Sequence, residues 1–207
     1  MGPGGRARLD ADVARLRELA TASGGRVGLV TLPGAGRTRC VLDLDYATSG
    51  SSAYPREVQR RSRIEIELGL RYPFQPPKVT VLTPVFHPHV FPSGIVCIGA
   101  RWSASEGMDL FVRRIARLLA YDPLLVNPGS IANPAAFHWY ESARRRHPEA
   151  FPTDAAAVAL GVETDPAAAG TRVMRGCPQC ASVLRLPAGR SGTVRCPRCS
   201  ATFAVST

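Results

Sequence analysis

The chain has 207 residues, 45% of them hydrophobic, which suits one ordinary soluble domain with room for a small second one. No run approaches the ~18–20 apolar residues of a membrane span, and the opening "MGPGGRARLDADVARL" has no apolar signal core, so a cytoplasmic protein is expected. The net charge is +10, from 26 basic and 16 acidic residues; Lys78 is the single lysine, and the codon bias of a GC-rich genome is a sufficient cause of the arginine excess.

In chain order, "LDADVARLRELA" (9–20) places Leu9, Val13, Leu16 and Leu19 at helical spacing. A short strand, Val27–Leu32, ends at a Pro-Gly turn. "RCVLDLDYA" alternates Cys40, Leu42, Leu44 and Tyr46 on one face, so Cys40 reads as a buried small hydrophobe. "RSRIEIELGL" alternates again, with Ile64, Ile66 and Leu68 inward and Glu65 and Glu67 outward, and "KVTVLTP" is a fourth strand. One helix followed by four short strands predicts an antiparallel meander, an α+β layout rather than βαβ units.

Between strands three and four, Pro73, Pro76 and Pro77 force an extended path. After strand four comes a long irregular stretch that contains Cys97 and is too apolar for disorder. Helices follow. "DLFVRRIARLLAY" (109–121) buries Phe111, Ile115, Leu118 and Leu119, and "NPAAFHWYESARRRHP" opens with Asn133 as N-cap and Pro134 at the first helical position. The expected division is a main domain over 1–152, a short helix and linker over 153–173, and a separate unit over 174–207.

There are six cysteines, and without a secretory signal a disulfide framework gives way to metal binding or catalysis. Cys177-Pro-Gln-Cys180 and Cys196-Pro-Arg-Cys199, with fifteen residues between the pairs, have zinc spacing. A segment this short cannot bury enough apolar surface to fold alone, so one structural zinc would supply the folding free energy. A redox CxxC pair is the competing reading, and it lacks the βαβ context. From Met174 onward the tail carries Arg175, Arg185, Arg190, Arg195 and Arg198 and no acidic residue, so a nucleic-acid-binding ribbon is an alternative; Phe203 is its one aromatic and reads as core.

"HPHVFPSGIVCIG" (87–99) leaves three readings open for Cys97: a core thiol, a metal ligand with His87 and His89, or a nucleophile. The longer run "RYPFQPPKVTVLTPVFHPHVFPSGIVCIG" resembles the ubiquitin-conjugating enzyme family. Tyr72-Pro73-Phe74 and Pro76-Pro77 match its YPF-x-PP segment. His87-Pro88 matches the start of its HPN tripeptide, and Cys97 stands at the spacing of its catalytic cysteine. Trp102 after the cysteine and the two following helices extend the likeness over about residues 7–150. His89 replaces the tripeptide's asparagine, the stretch between Cys97 and Trp102 is short, and the acidic residue often found near the site has no clear match, all of which resembles a divergent bacterial-type member.

The resemblance implies a transferase that carries a ubiquitin-like modifier on Cys97 as a thioester and passes it to an amine. His89 stands where a donor to the tetrahedral oxyanion, or a base toward the amine, is expected. His87 supports the loop, Pro88 restricts His87 to extended geometry, and Tyr72, Pro73, Phe74 and Trp102 serve packing. The implied partners are a ubiquitin-like modifier, a ThiF-like activating enzyme, a JAB-type peptidase and a protein target, with neither nucleic acid nor membrane among them. A catalytically silent adaptor of the same fold, binding a ubiquitin-like protein, is the runner-up.

Overall fold

Alternation builds the sheet. Cys40, Leu42 and Leu44 of β2 (Arg39–Leu44) and Ile64 and Ile66 of β3 (Ser62–Glu67) are at most 1% exposed and share one face. Each such burial contributes ~1.5–3 kcal/mol for a large aliphatic side chain. With β1 (Val27–Thr31) and β4 (Lys78–Val81) they form an antiparallel meander in the order β1-β2-β3-β4. The opposite face is laced by arginine–carboxylate pairs, Arg63 on Asp43 at 2.7 Å and Arg39 on Glu67 at 3.2 Å among them. These are exposed pairs, worth ~0–1 kcal/mol each. The expected α+β layout is the observed one. The computed structural model describes residues 3–33, 39–98, 102–160, 172–180, 183–187, 191–196 and 199–206.

Helix α1 (Pro3–Ala22) lays Val13, Leu16 and Leu19 on the core. It begins six residues before the predicted stretch, with a proline at its first position, where the missing N–H is no loss. Gly24 and Gly25, at φ +61° and +86°, then turn the chain into β1. Asp12, on the inner face of α1, is 1% exposed. It accepts from Arg8 at 2.7 Å, from the Tyr72 hydroxyl at 2.5 Å and from the Met108 backbone at 3.2 Å. One buried carboxylate thus ties α1 to the Tyr72 segment and to the start of α2 (Met108–Leu119).

Helix α2 stops two residues before the predicted Tyr121. Asp122 N–H bonds the Arg117 carbonyl at 3.1 Å and Tyr121 N–H bonds that of Leu118 at 2.9 Å, with Tyr121 left-handed at φ 59°. This is a Schellman ending with a tyrosine where glycine is usual. The strain, ~1–2 kcal/mol, is offset by burial. The Tyr121 ring is 0% exposed and lies 5.1 Å from Tyr140, 5.3 Å from Phe151 and 4.3 Å from His87.

Helix α3 (Pro134–Arg146) opens as predicted, with the Asn133 side chain accepting from Ala136 N–H at 3.1 Å. The short helix α4 (Ala155–Ala159), capped by Asp154, buries Ala157 in the main core. It belongs to the first of two units, Met1–Gly161 and Val162–Thr207. The expected "DPAAAG" linker lies outside the described residues. In the second unit, β5 (Arg172–Gly176) pairs with β6 (Val183–Pro187) and β7 (Ser191–Arg195) with β8 (Thr202–Ser206), both antiparallel. Of the tail arginines, Arg195 is exposed, while Arg190 and Arg198 lie outside the described residues.

Candidate active site and metal centre

The irregular stretch after β4 folds back on the sheet. Val81 N–H bonds the Gly94 carbonyl at 2.8 Å and Val96 N–H bonds that of Val79 at 2.9 Å, so residues 94–96 run antiparallel along the free edge of β4. On their other side Phe91 N–H meets the Ile95 carbonyl at 2.9 Å and Cys97 N–H that of His89 at 2.7 Å. The turn closing this small hairpin needs glycine. Gly94 sits at φ +84°, and a Cβ there would stand 2.6 Å from the Val81 carbonyl oxygen. The hairpin holds Cys97 at the end of a short central strand, flanked by β4 and by His89.

The two histidines sit beneath it. His87 is 0% exposed, and its Nδ1 accepts the His89 backbone N–H at 3.0 Å. Nε2 therefore carries the hydrogen; the Leu118 carbonyl is within electrostatic reach but outside hydrogen-bond geometry. Burial, with help from the adjacent His89, pushes the His87 pKa down to about 3. The Pro88 carbonyl accepts from Ala132 at 2.8 Å and Asn133 at 2.9 Å, anchoring the loop before α3. His89 is 3% exposed, and its Nε2 accepts the Asn127 backbone N–H at 2.8 Å. In the tautomer this bond requires, Nδ1 carries the hydrogen. Nε2 is thereby engaged as an acceptor.

Cys97 is half-buried, with Sγ 3.5 Å from the Ser130 hydroxyl. Ser130 and Asn127 belong to the turn "NPGS", where Asn127 Oδ1 accepts Gly129 N–H at 2.9 Å. Neither was singled out from the sequence. The proline–glycine turn between two helices was the only signal, and it does not say which loop the turn faces. Cys40 contrasts with Cys97: fully buried, its thiol is pushed up to about 12 by burial, then by the Glu65 charge. Trp102 Nε1 donates to the Pro73 carbonyl at 2.7 Å and its ring packs on Tyr72 and Phe111. Tyr72 is buried as expected, but Phe74 is 81% exposed and does not pack. The turn closed by Gln75 N–H on the Arg71 carbonyl at 3.1 Å carries it outward.

Among the described residues one group of metal-ligating side chains converges, Cys177, Cys180, Cys196 and Cys199, with all four sulfurs within 4.8 Å of one another. His87, His89 and Cys97 do not form such a group. The ribbon pairs sit where β5 leads to β6 and β7 to β8. Cys177–Cys199 and Cys180–Cys196 are 3.6 and 3.7 Å apart. A tetrahedron with metal–sulfur bonds of ~2.3 Å has edges of ~3.8 Å. The four thiols therefore fit one tetrahedral ion such as zinc. Val194, Phe203 and Val205 pack against them.

Residues 52–154 match the family model of the ubiquitin-conjugating enzyme. Ubiquitin-conjugating enzyme E2 T of Danio rerio is 33% identical over 78 residues, 32% of this chain and 40% of that protein. Ubiquitin-conjugating enzyme E2 2 of Trichoderma harzianum is 33% identical over 88 residues, 41% of this chain and 56% of that protein. The chain thus spans between two-fifths and just over half of the length of these curated relatives. Among solved structures, a Trypanosoma cruzi protein assigned as a ubiquitin conjugating enzyme superposes with a TM-score of 0.51 at 18% identity, covering 71% of this chain and 94% of its own. At that identity the likeness is one of fold. The matched family, the curated relatives and the shared fold together support a ubiquitin-conjugating-enzyme-like domain as the first unit of this chain.

Proposed function

We propose that this protein accepts an activated ubiquitin-like modifier as a thioester on Cys97 and transfers it to an amine. The observation that carries the reading is the placement of Cys97. It is a half-buried thiol held by backbone bonds on a short strand, beside a hydroxyl, while the other thiol of the first unit is sealed in the core. In the first step the Cys97 thiolate attacks the thioester of an activating enzyme's cysteine. One C–S bond forms, another breaks, and a thiolate leaves. In the second step an amine attacks the Cys97 thioester, the tetrahedral intermediate expels the Cys97 thiolate, and the nitrogen sheds its proton to solvent.

The residues around Cys97 divide the work. Ser130 can donate to the thiolate across 3.5 Å. His89 can donate from Nδ1 to the oxyanion, and it holds the Asn127–Ser130 turn in place. His87, Pro88 and Trp102 support the loops. A structural zinc held by Cys177, Cys180, Cys196 and Cys199 orders the second unit. The partners are a ubiquitin-like modifier, a ThiF-like activating enzyme and a protein target, with a JAB-type peptidase to reverse the reaction, in a bacterial cytoplasm.

Incubation with modifier, activating enzyme and ATP tests the reading. A DTT-labile adduct forms on Cys97. Cys97→Ser gives a slower, DTT-resistant ester, because a hydroxyl is the poorer nucleophile and forms an oxygen ester. Cys40→Ser charges normally. Loss of charging in Cys40→Ser but not in Cys97→Ser removes the assignment.

A further inference from the structure

The turn that faces Cys97 has a second side. Its Asn127 N–H meets His89 and its Ser130 hydroxyl meets Cys97. Pro123, Val126 and Pro128 of the same segment, with Phe137 and Tyr140 of α3, are the apolar lining of a cavity of about 240 Å³. Its charged members are Glu141 and Arg144. This is below the ~300–1,000 Å³ of sites that hold small-molecule ligands, and it suits a single large apolar side chain. The chain bounds its distance from the chemistry. Consecutive Cα atoms are about 3.8 Å apart, so Pro128 stands within about 7.6 Å of Ser130. The Ser130 hydroxyl is 3.5 Å from the Cys97 sulfur. Pro128 therefore lies within roughly 14 Å of the reacting sulfur, a span of about four extended residues. Charge says what kind of segment fits. The Arg144 guanidinium lies over the Tyr140 ring at 5.4 Å and pairs with Glu141 at 3.3 Å, and Arg145 shares Glu141 at 3.8 Å. Arg146 follows, so this end of α3 carries three exposed guanidinium groups against one carboxylate. The next carboxylate along the chain, Glu149, lies 3.6 Å from His147.

We infer that this cavity docks an apolar side chain of the acceptor protein, in a segment that also carries acidic residues, and so presents an amine a few residues away to Cys97. The inference rests on Cys97 being the acyl carrier, and it names the acceptor class that this reading leaves open. The apolar side chain displaces water from Phe137 and the two prolines. The acidic residues meet Arg144 and Arg145, and the chain's net charge of +10 draws such a segment in. Docking raises the local concentration of the amine at the thioester. The amine attacks the thioester carbonyl, the C–N bond forms, the C–S bond breaks, Cys97 leaves as its thiolate, and the proton from nitrogen goes to solvent. Phe137 and Arg144 select the acceptor and take no part in the bond changes.

The full-length chain is charged with a small soluble acyl thioester, acetylglycine mercaptoethanesulfonate, and its single-turnover discharge to peptides or to ethanolamine is followed by intact mass. The probe is a short acetylated peptide with a single lysine, a phenylalanine about four residues before it and glutamates beside the phenylalanine. A second peptide has serine for the phenylalanine, and a third has arginines for the glutamates. At the same low concentration the phenylalanine peptide is expected to discharge Cys97 at least about tenfold faster than the serine peptide, the factor that burial of one large apolar side chain supplies. Phe137→Ala removes this preference through KM and leaves discharge to ethanolamine as in the parent, a split that a general loss of structure does not give. Arg144→Glu reverses the order of the glutamate and arginine peptides. Fluorescence anisotropy of the labelled peptides on the uncharged chain gives the same ranking without the chemistry. Absence of any DTT-labile adduct on Cys97 sinks the carrier reading, and the acceptor role with it. Equal discharge to the phenylalanine and serine peptides, or a preference that survives Phe137→Ala, overturns the acceptor role and leaves the carrier reading standing. So does a concentration-dependent dimer in sedimentation that Phe137→Ala abolishes, since the cavity is then a contact between copies of the chain.

Discussion

The ring of His89 accepts the backbone N–H of Asn127 at 2.8 Å, so the histidine eight residues before Cys97 fixes the turn whose Ser130 hydroxyl reaches Cys97. His89→Ala removes the acceptor of the Asn127 N–H and so loosens that turn, whose Asn127 is itself exposed and can bond water instead. Its effect on chemistry falls on the second step, where charge develops on the oxyanion, and not on transfer between two similar thiols. Single-turnover discharge of pre-charged His89→Ala to an amine is expected to slow by about tenfold or more, with charging nearly normal. His89→Asn recovers much of the loss, since its amide both accepts and donates. Equal discharge by His89→Ala and the parent shows that the ring is only a filler.

The two thiols of the first unit differ in reach. Cys40 lies on the core face of β2 next to Val41, whose N–H donates to the Thr31 hydroxyl, and is 0% exposed, with its thiol pushed up to about 12 by burial and the Glu65 charge. Thiolate is the reactive form. Iodoacetamide on the zinc-loaded native chain labels Cys97 quickly, and Cys40 only when the chain unfolds. The check is peptide mass mapping over time; early label on Cys40 contradicts the packing described for β2.

How far the sequence led is seen in these same residues. The meander was legible because Cys40, Leu42, Leu44, Ile64 and Ile66 recur at every second position, with Asp43 and Glu65 among the residues between them, and one buried face forces the register. The ribbon cysteines and Cys97 stood out by spacing, which survives in a linear reading. Ser130 did not, because its partner is 33 residues away and "NPGS" is the composition of any turn. The end of α2 was misplaced because Tyr121 continues the helical pattern, and only the aromatic cluster it joins explains its left-handed backbone. Phe74 reads as core by residue type. The turn geometry alone puts it in solvent.

Metal removal separates the two units. The sulfurs of Cys177, Cys180, Cys196 and Cys199 lie within 4.8 Å of one another, and among the described residues the half-buried Val194, Phe203 and Val205 pack around them. A core that small cannot offset chain entropy, so metal affinity is folding free energy there. Elemental analysis is expected to find one zinc per chain. A strong chelator unfolds the second unit, while the main-unit melting transition and the charging of Cys97 stay as they were. Freshly purified protein without zinc, or a main-unit transition that moves with chelation, counts against this division.

His87 makes the main unit acid-sensitive. Its Nδ1 accepts the His89 N–H at 3.0 Å, and a protonated ring would turn a second donor toward that donor. The groups facing it are His89, the Tyr121 ring at 4.3 Å and the Leu118 carbonyl, none of them an anion near neutral pH. Burial and His89 hold its pKa at about 3 in the fold, against ~6.5 in the unfolded chain. Between these values the unfolded state binds the proton and the native state does not, so stability rises with pH through the window and is lost as pH falls below about 6.5. Lowering the pH from about 7.5 to about 5 costs on the order of 2 kcal/mol from this group alone. Other groups of the chain also respond to pH, so the test is a difference. His87→Gln is less stable at every pH through lost packing, but its urea-unfolding free energy falls less steeply over this range than the parent's. Parallel pH profiles for the two proteins would mean that His87 takes up its proton alike in the folded and unfolded states, which contradicts an Nδ1 that accepts the His89 N–H in the fold.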